Sequence, residues 1–278
     1  MIIDITEKCH EECPHCMNDA KPDGASMERG TFISAIRFGV YGACPVYLIG
    51  GGEPTEHPEF YDFMFVLNEL LEEERKENPI WSEFNNDPEK KAPYFTVLSN
   101  GTWITDKKKT EQVKKVLAMK HCMKMQVTSV PLYYKSYPII NEHRKEIEDI
   151  IGIPICVQIE QMQDLGRASG MKYMRLVEKA KSPSCTNPCL FTRQSKNLVH
   201  MFLQSMMYGK LCFPVIDIHG NIHMSESVCC PDIGYNINDT HPDNIFKAMQ
   251  EFKPCGRCFS YKKLFLKENE KYKEILGL

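Results

Sequence analysis

Cys9-His10-Glu11-Glu12-Cys13-Pro14-His15-Cys16 follows directly on the short apolar run Ile2-Ile3-Asp4-Ile5. The run reads as a strand, and the cysteines as the loop that leaves it. Three thiolates this close in sequence can surround one metal centre only if the backbone wraps tightly, and Pro14 favours that wrapping. An iron–sulfur cube normally takes four thiolates, so a loop of three leaves one iron without a protein ligand. An open coordination position is where chemistry takes place at a metal. Zinc, completed by His10, His15 or a distant cysteine, is the other metal that this loop accommodates.

Beyond the loop, short apolar runs alternate with amphipathic stretches. Residues 28–41 carry Phe32, Ile33, Ile36 and Val40 at helical spacing and stop near Gly42. Val46-Tyr47-Leu48-Ile49 is a strand running into Gly50-Gly51-Gly52-Glu53-Pro54. A second helix starts at Phe60, with Phe63, Met64, Leu67, Leu70 and Leu71 inward. The polar segment 75–93, with Pro79, Pro88 and Pro93, reads as an exposed excursion. Tyr94–Leu98 is strand three, ending in Ser99-Asn100-Gly101, and 107–120 is a helix with Val113, Val116 and Leu117 inward. Strand four covers 123–128, a helix 139–151, strand five 154–159 and a last helix 171–181.

Such alternation predicts a parallel sheet with right-handed crossovers. Five or six units are too few for an eight-fold barrel, so the expected fold is α/β, a partial (β/α)6 TIM-like barrel over residues 1–182. Its active face is the carboxyl ends of the strands, where loops reach a common centre. The cysteine loop, Gly50–Pro54 and Ser99–Gly101 all fall at that end.

The chain has 278 residues, 42% hydrophobic and 26% charged, which is enough for one large core with a small appendage. A net charge of −3 gives no basic field for nucleic acid. No apolar run approaches the length of a membrane span, and no secretory leader is visible, so a cytoplasmic protein with no membrane partner is expected. In that setting thirteen cysteines point to metal or redox chemistry rather than disulfides. Cys44, Cys122 and Cys156, scattered singly, read as small buried hydrophobes. Seven more fall from Cys185 onward.

The Cys-x3-Cys-x2-Cys spacing resembles the radical S-adenosylmethionine superfamily, with His15 in the slot that is usually aromatic. The resemblance implies a [4Fe–4S] cluster held by Cys9, Cys13 and Cys16, and S-adenosyl-L-methionine on the fourth iron. Reductive cleavage then gives a 5′-deoxyadenosyl radical that abstracts hydrogen from substrate. The cofactor carries the chemistry, and the protein supplies position and exclusion of water. Gly51-Gly52-Glu53-Pro54 resembles the motif that receives the cofactor's amino group. Glycines let carbonyls approach an ammonium, and Glu53 either adds charge or braces the loop. Ser99 and Asn100 fall at the same end of the sheet. Thr128 and Ser129 stand where the family places ribose-binding groups, or serve as ordinary strand-end caps. Arg167, in Leu165-Gly166-Arg167-Ala168, resembles the arginine that approaches the methionine carboxylate, with a surface arginine as the alternative.

From residue 183 to 278 the chain becomes cysteine-rich. Residues 213–218, a turn at His219-Gly220-Asn221 and 222–224 read as a β-hairpin, followed by Ile233-Gly234-Tyr235-Asn236 and a helix at 244–251. With Cys212, Cys229-Cys230 and Cys255-Gly256-Arg257-Cys258, this order resembles the Twitch domain, the shortened relative of SPASM. It implies an auxiliary [4Fe–4S] cluster on Cys212, Cys230, Cys255 and Cys258, with Cys229, Cys185 and Cys189 as alternates. Ser225 stands where the family usually has its second cysteine, and a zinc ribbon uses similar spacing.

Taken together, the resemblances imply an oxidative radical enzyme with two clusters, acting on a peptide of the ribosomal natural-product type. The alternatives are a small-molecule dehydrogenase oxidising an alcohol of an aminocyclitol or sugar-like substrate, and a non-enzymatic iron–sulfur or zinc protein. A flavodoxin or ferredoxin is the expected electron donor. Because strand one begins at Ile2, either a separate protein or the barrel itself is expected to grip any leader peptide. Tyr133, Tyr134 and Tyr137 near strand four read either as lining of the substrate space or, as is commoner, as core or loop packing, and no catalytic residue is assigned.

Overall fold

The computed structural model describes residues 1–14, 16, 18–79, 81, 92–131, 133–157, 214–223 and 232–251. The strands are β1 (Ile2–Thr6), β2 (Val46–Gly51), β3 (Tyr94–Ser99), β4 (Cys122–Ser129), β5 (Cys156–Val157), β6 (Val215–Ile216), β7 (Asn221–His223) and β8 (Asp232–Asn236). The helices are α1 (Arg29–Tyr41), α2 (Phe60–Glu77), α3 (Lys107–Leu117), α4 (Tyr137–Glu142), α5 (Arg144–Ile151) and α6 (Pro242–Glu251). All eight strands form one sheet in the order β5-β4-β3-β2-β1-β6-β7-β8. The sheet is parallel from β5 through β1 to β6, and antiparallel at β6-β7 and β7-β8.

Period-two alternation divides the sheet into two faces. Ile3, Ile5, Tyr47, Ile49, Phe95, Val97, Met125 and Val127 are fully buried, and they pack with the helices in one continuous core. The in-register partners Ile3, Ile49, Val97 and Met125 carry this face across four strands. The alternate residues Ile2, Asp4, Gly50, Leu98, Gln126 and Thr128 line a cleft on the other face. Val215 of β6, paired with Ile2, extends that lining. Between β5 and β8 the sheet is open among the described residues, and no closed barrel forms. The partial-barrel expectation agrees with this architecture.

Helix packing follows the sequence pattern. Phe32 of α1 stacks on Phe63 of α2 at 4.3 Å between ring centroids, beside Met64, Leu67 and Leu71. Asp106 caps α3 by accepting from the backbone N–H groups of Lys108 and Lys109. One expected helix, 139–151, is in fact two. Pro138 in the first turn starts α4 early, and His143 leaves helical geometry at φ −90°, ψ 10°. The bend lets Ile140 and Ile147 both reach the core. Gly152 then ends α5 at φ 71°, in the left-handed region where glycine is favoured.

The hairpin read at 213–224 is present as β6 and β7, joined around Gly220 at φ 88°. Its first strand pairs in parallel with β1 and so continues the main sheet. Among the described residues no helix is long and apolar enough to cross a membrane.

Phe63→Ala is expected to cost about 3–5 kcal/mol in chemical denaturation. Phe65→Ala, two residues on and 48% exposed, should fall within about 0.5 kcal/mol of the parent.

Candidate functional site

The cysteine loop is closed at its base. Glu7 N–H donates to the Ala25 carbonyl at 2.8 Å, Lys21 N–H to the Glu7 carbonyl at 2.9 Å, and Cys9 N–H to the Lys21 carbonyl at 2.9 Å. Thr6 Oγ1 takes the Lys8 N–H at 3.1 Å and lies 3.0 Å from Ser26 Oγ. The outgoing and returning strands of chain are therefore tied together, and the residues between form a closed lobe. Its flank is pinned to the segment between β4 and α4: Ser136 N–H donates to the Glu11 carboxylate at 3.1 Å, and Lys135 pairs with Glu12.

Within the lobe Cys13 is buried, while Cys9 and Cys16 are half-buried. Cys16 Sγ accepts the Ala20 N–H at 3.3 Å, and Cys9 Sγ accepts from Asn100 Nδ2 at 3.7 Å. Burial pushes the Cys9 thiol up to about 12, and the acidic groups of Glu53, Glu11 and Cys16 add to the shift. The thiolate that a metal requires thus depends on the metal's own charge. His10 is exposed and turns outward to Glu56, 3.9 Å away.

The Gly-Gly-Glu segment seals the other side of the loop. Gly52 N–H donates to the Thr6 carbonyl, and Glu53 N–H to the Lys8 carbonyl at 2.7 Å. A Cβ on Gly51, which stands at φ 105°, would overlap the Thr6 carbonyl oxygen, and a Cβ on Gly52 would overlap that of Lys8. The glycines are required first by this chain-to-chain approach, a reason distinct from the ligand approach that the sequence suggested. Asn18 Nδ2 donates to the Gly51 carbonyl at 2.9 Å.

Glu53 braces the loop. It is 1% exposed, and its carboxylate accepts from Thr55 Oγ1 at 2.7 Å, Thr55 N–H at 3.2 Å and Asn100 N–H at 2.7 Å. Ser99 Oγ reaches both of its oxygens, at 3.0 and 3.1 Å. Burial raises its carboxyl above the ordinary range, while these donors pull the other way. Pro54 is buried at the start of a short 3-10 turn.

These pieces meet at a cleft of about 440 Å³ at the carboxyl ends of β1 to β4. Of the residues expected at a cofactor site, Gly51, Gly52, Ser99, Asn100 and Thr128 line it. Glu53, Pro54 and Ser129 are buried and are not part of that lining. Ser129 Oγ has no hydrogen-bond partner among the described residues. Asp4, Asn18, Gln126 and Tyr134 also line the cleft. The first three were not singled out from sequence, although Asp4 and Gln126 were visible as polar residues at alternate positions of apolar strands. For Tyr134 the sequence offers either substrate lining or packing, and the structure places it in the cleft wall. Burial raises its hydroxyl, and the acidic groups of Cys13, Cys9, Glu11 and Glu53 add to the shift. His15, Arg167, Cys185, Cys189, Cys212, Cys229, Cys230, Cys255 and Cys258 lie outside the described residues.

Among the described residues no group of three or more His, Cys, Asp or Glu surrounds a single ion position. The donor set nonetheless fits an iron–sulfur group. Three thiols share one closed lobe beside an open cleft, and two of them already accept N–H donors. Hydrogen bonds to the sulfurs are one of the ways a protein sets the properties of such a cluster.

No protein-family model matches the sequence, and no curated protein matches it. Several solved structures align with the chain along most of its length. The structure of native anSMEcpe with bound AdoMet aligns at TM-score 0.52 and 13% identity, covering 95% of this chain and 83% of that one. BtrN in complex with AdoMet and 2-DOIA aligns at TM-score 0.49 and 13% identity, over 98% and 89% of the two chains. Streptococcus suis SuiB bound to S-adenosylmethionine aligns at TM-score 0.46 and 11% identity, over 92% and 70%. The chain therefore shares its α/β fold with a protein whose structure holds bound AdoMet.

Glu53→Gln sets an amide N–H₂ against at least one of the donors that now converge on the carboxylate. A loss of about 1–3 kcal/mol is expected in urea denaturation, because the donors of Ser99, Asn100 and Thr55 lose part of the charge they now meet.

Proposed function

We propose that the protein is a radical S-adenosylmethionine oxidoreductase whose cluster is held by Cys9, Cys13 and Cys16. The single observation that carries this reading is convergence. Asn18 of the three-cysteine lobe, Gly51 and Gly52 of the Gly-Gly-Glu turn, and the ends of β3 and β4 line one cleft at the carboxyl edge of a parallel sheet, and Asn100 in that lining donates to Cys9 Sγ. When bound, the cluster and S-adenosylmethionine supply a one-electron cleavage that yields a carbon radical able to take hydrogen from substrate.

The chain's own residues have definable roles in that reading. Cys9, Cys13 and Cys16 ligate from a lobe that is already closed, so little ordering entropy is lost on loading. The edge of Gly51 and Gly52, with Ser99, Asn100 and Thr128, forms the wall against which the cofactor lies. Asp4, Asn18, Gln126 and Tyr134 offer acceptors and donors to the polar parts of cofactor and substrate. Arg167 is assigned to the cofactor carboxylate, and His15 to the cofactor's neighbourhood, on their positions in the sequence.

An auxiliary [4Fe–4S] cluster on Cys212, Cys230, Cys255 and Cys258 would take the second electron of an oxidation. The order of those cysteines and the Gly-Gly-Glu-Pro-Thr phrase support a peptide substrate. A flavodoxin or ferredoxin would deliver the first electron.

Anaerobic reconstitution with iron and sulfide tests the assignment. The parent is expected to hold about eight irons per chain, falling to about four when Cys9, Cys13 and Cys16 are all changed to alanine. The parent, reduced and given S-adenosylmethionine, should release 5′-deoxyadenosine, and the triple variant should not. Zinc in place of iron, or release undiminished in the triple variant, would overturn the reading.

A further inference from the structure

Asn100 stands at the end of β3, where its side chain is held by a network that leaves one orientation. Its Oδ1 accepts the Thr102 N–H at 2.9 Å and the Thr102 hydroxyl at 2.7 Å. Two donors on one side of the amide require the oxygen there, so the nitrogen must face the other way. That direction is Cys9 Sγ, at 3.7 Å. The backbone is fixed too, because Asn100 N–H is held by the buried Glu53 carboxylate at 2.7 Å.

The two thiol hydrogen bonds differ in origin. The Ala20 N–H that meets Cys16 belongs to the cysteine lobe itself. The Asn100 amide comes from a different strand, ninety-one residues away. It is the described side-chain donor that links the ligand lobe to the sheet at a sulfur.

We propose that Asn100 is a positioning residue that sets the reduction potential of the cluster by donating its amide N–H to the Cys9 thiolate. Thr102 fixes the amide's orientation, and Glu53 fixes its backbone. This rests on the reading of Cys9, Cys13 and Cys16 as cluster ligands. Reduction adds one electron to a group whose negative charge is shared by its thiolates. A donor at 3.7 Å stabilises the more negative state more than the less negative one, and so raises the potential. The same amide lines the cleft, so the residue that tunes the cluster also touches the space where a cofactor would lie.

The experiment is a redox titration of the reconstituted protein, followed by electron paramagnetic resonance. The relevant signal is the one that disappears in the Cys9, Cys13, Cys16 triple alanine variant. In Asn100→Leu the ratio of reduced to oxidised cluster at a fixed applied potential should fall about tenfold, equivalent to about 59 mV for a one-electron couple. Asn100→Asp keeps an acceptor for Thr102 but turns an anion toward Cys9, and it should fall further. Thr102→Val touches neither thiol nor cleft, and it should move the potential in the same direction by less, since it only loosens the amide.

An unmoved potential in Asn100→Leu with iron content retained would overturn the proposal and leave the cluster assignment standing. If both Asn100 variants lose iron, Thr102→Val decides, and an unmoved potential there overturns it. A parent that binds no iron overturns this proposal and the cluster assignment together.

Discussion

One buried carboxylate ties this site together. Glu53 lies at the turn after β2, and its oxygens collect donors from Thr55, Ser99 and Asn100. Its own N–H reaches across to the Lys8 carbonyl. It therefore joins three strand ends: the exit of β1 into the cysteine lobe, the exit of β2, and the exit of β3. A carboxylate removed from water is costly unless hydrogen bonds replace the lost hydration, and here every one of those bonds comes from a neighbour whose position the site needs. The cost of burial and the rigidity of the site have the same origin.

The sheet supplies the rest. In a filled barrel both faces of each strand meet side chains, and the interior is packed. Here the alternation sends Ile3, Tyr47, Phe95 and Met125 toward the helices and leaves Asp4, Gly50 and Gln126 facing a cleft. The inner positions of β1, β2 and β4 could have carried branched apolar residues to close the space. At Asp4, Gly50 and Gln126 they carry polar groups and a glycine instead, which a packed core would penalise and a ligand site uses. An open sheet with an unfilled inner face is thus written into the residue types of its strands.

Much of this was legible in the sequence, and the reasons can be stated element by element. Strands β1 to β4 and helices α1 to α3 were readable because their apolar periods are long and undisturbed, and the three loop motifs fell at one end because the alternation fixes chain direction. The two-helix structure of 137–151 was not legible, since His143 carries no breaker chemistry and Pro138 lies in a first turn. Asp4 and Gln126 were not legible because a single polar residue in an apolar run looks like noise until register places it, and Asn18 because a lone asparagine in a polar loop carries no signature of the Gly51 carbonyl it reaches. Register comes from the neighbouring strand, which no single stretch contains. The pairing of β6 with β1 was hidden for the same reason, as two residues carry no signature of their partner.

The Gly-Gly-Glu turn shows how a motif can be read correctly and explained incompletely. Its glycines were expected to bring carbonyls close to an ammonium, and Glu53 either to add charge or to brace. The glycines have a prior structural role, because at Gly51 and Gly52 any side chain would collide with the carbonyls of Thr6 and Lys8. Those carbonyls belong to the root of the cysteine lobe, so the turn and the lobe can be joined only where a side chain is missing. Glu53 is likewise occupied, since each of its oxygens already takes at least two donors and no surface of it lines the cleft. A charged ligand in the cleft would therefore meet the backbone edge of the turn, with Asp4 and Asn100 beside it, rather than the carboxylate. The motif's acidic residue acts from behind the wall: it holds the surfaces that a ligand would touch, and through Asn100 it reaches the first sulfur of the lobe.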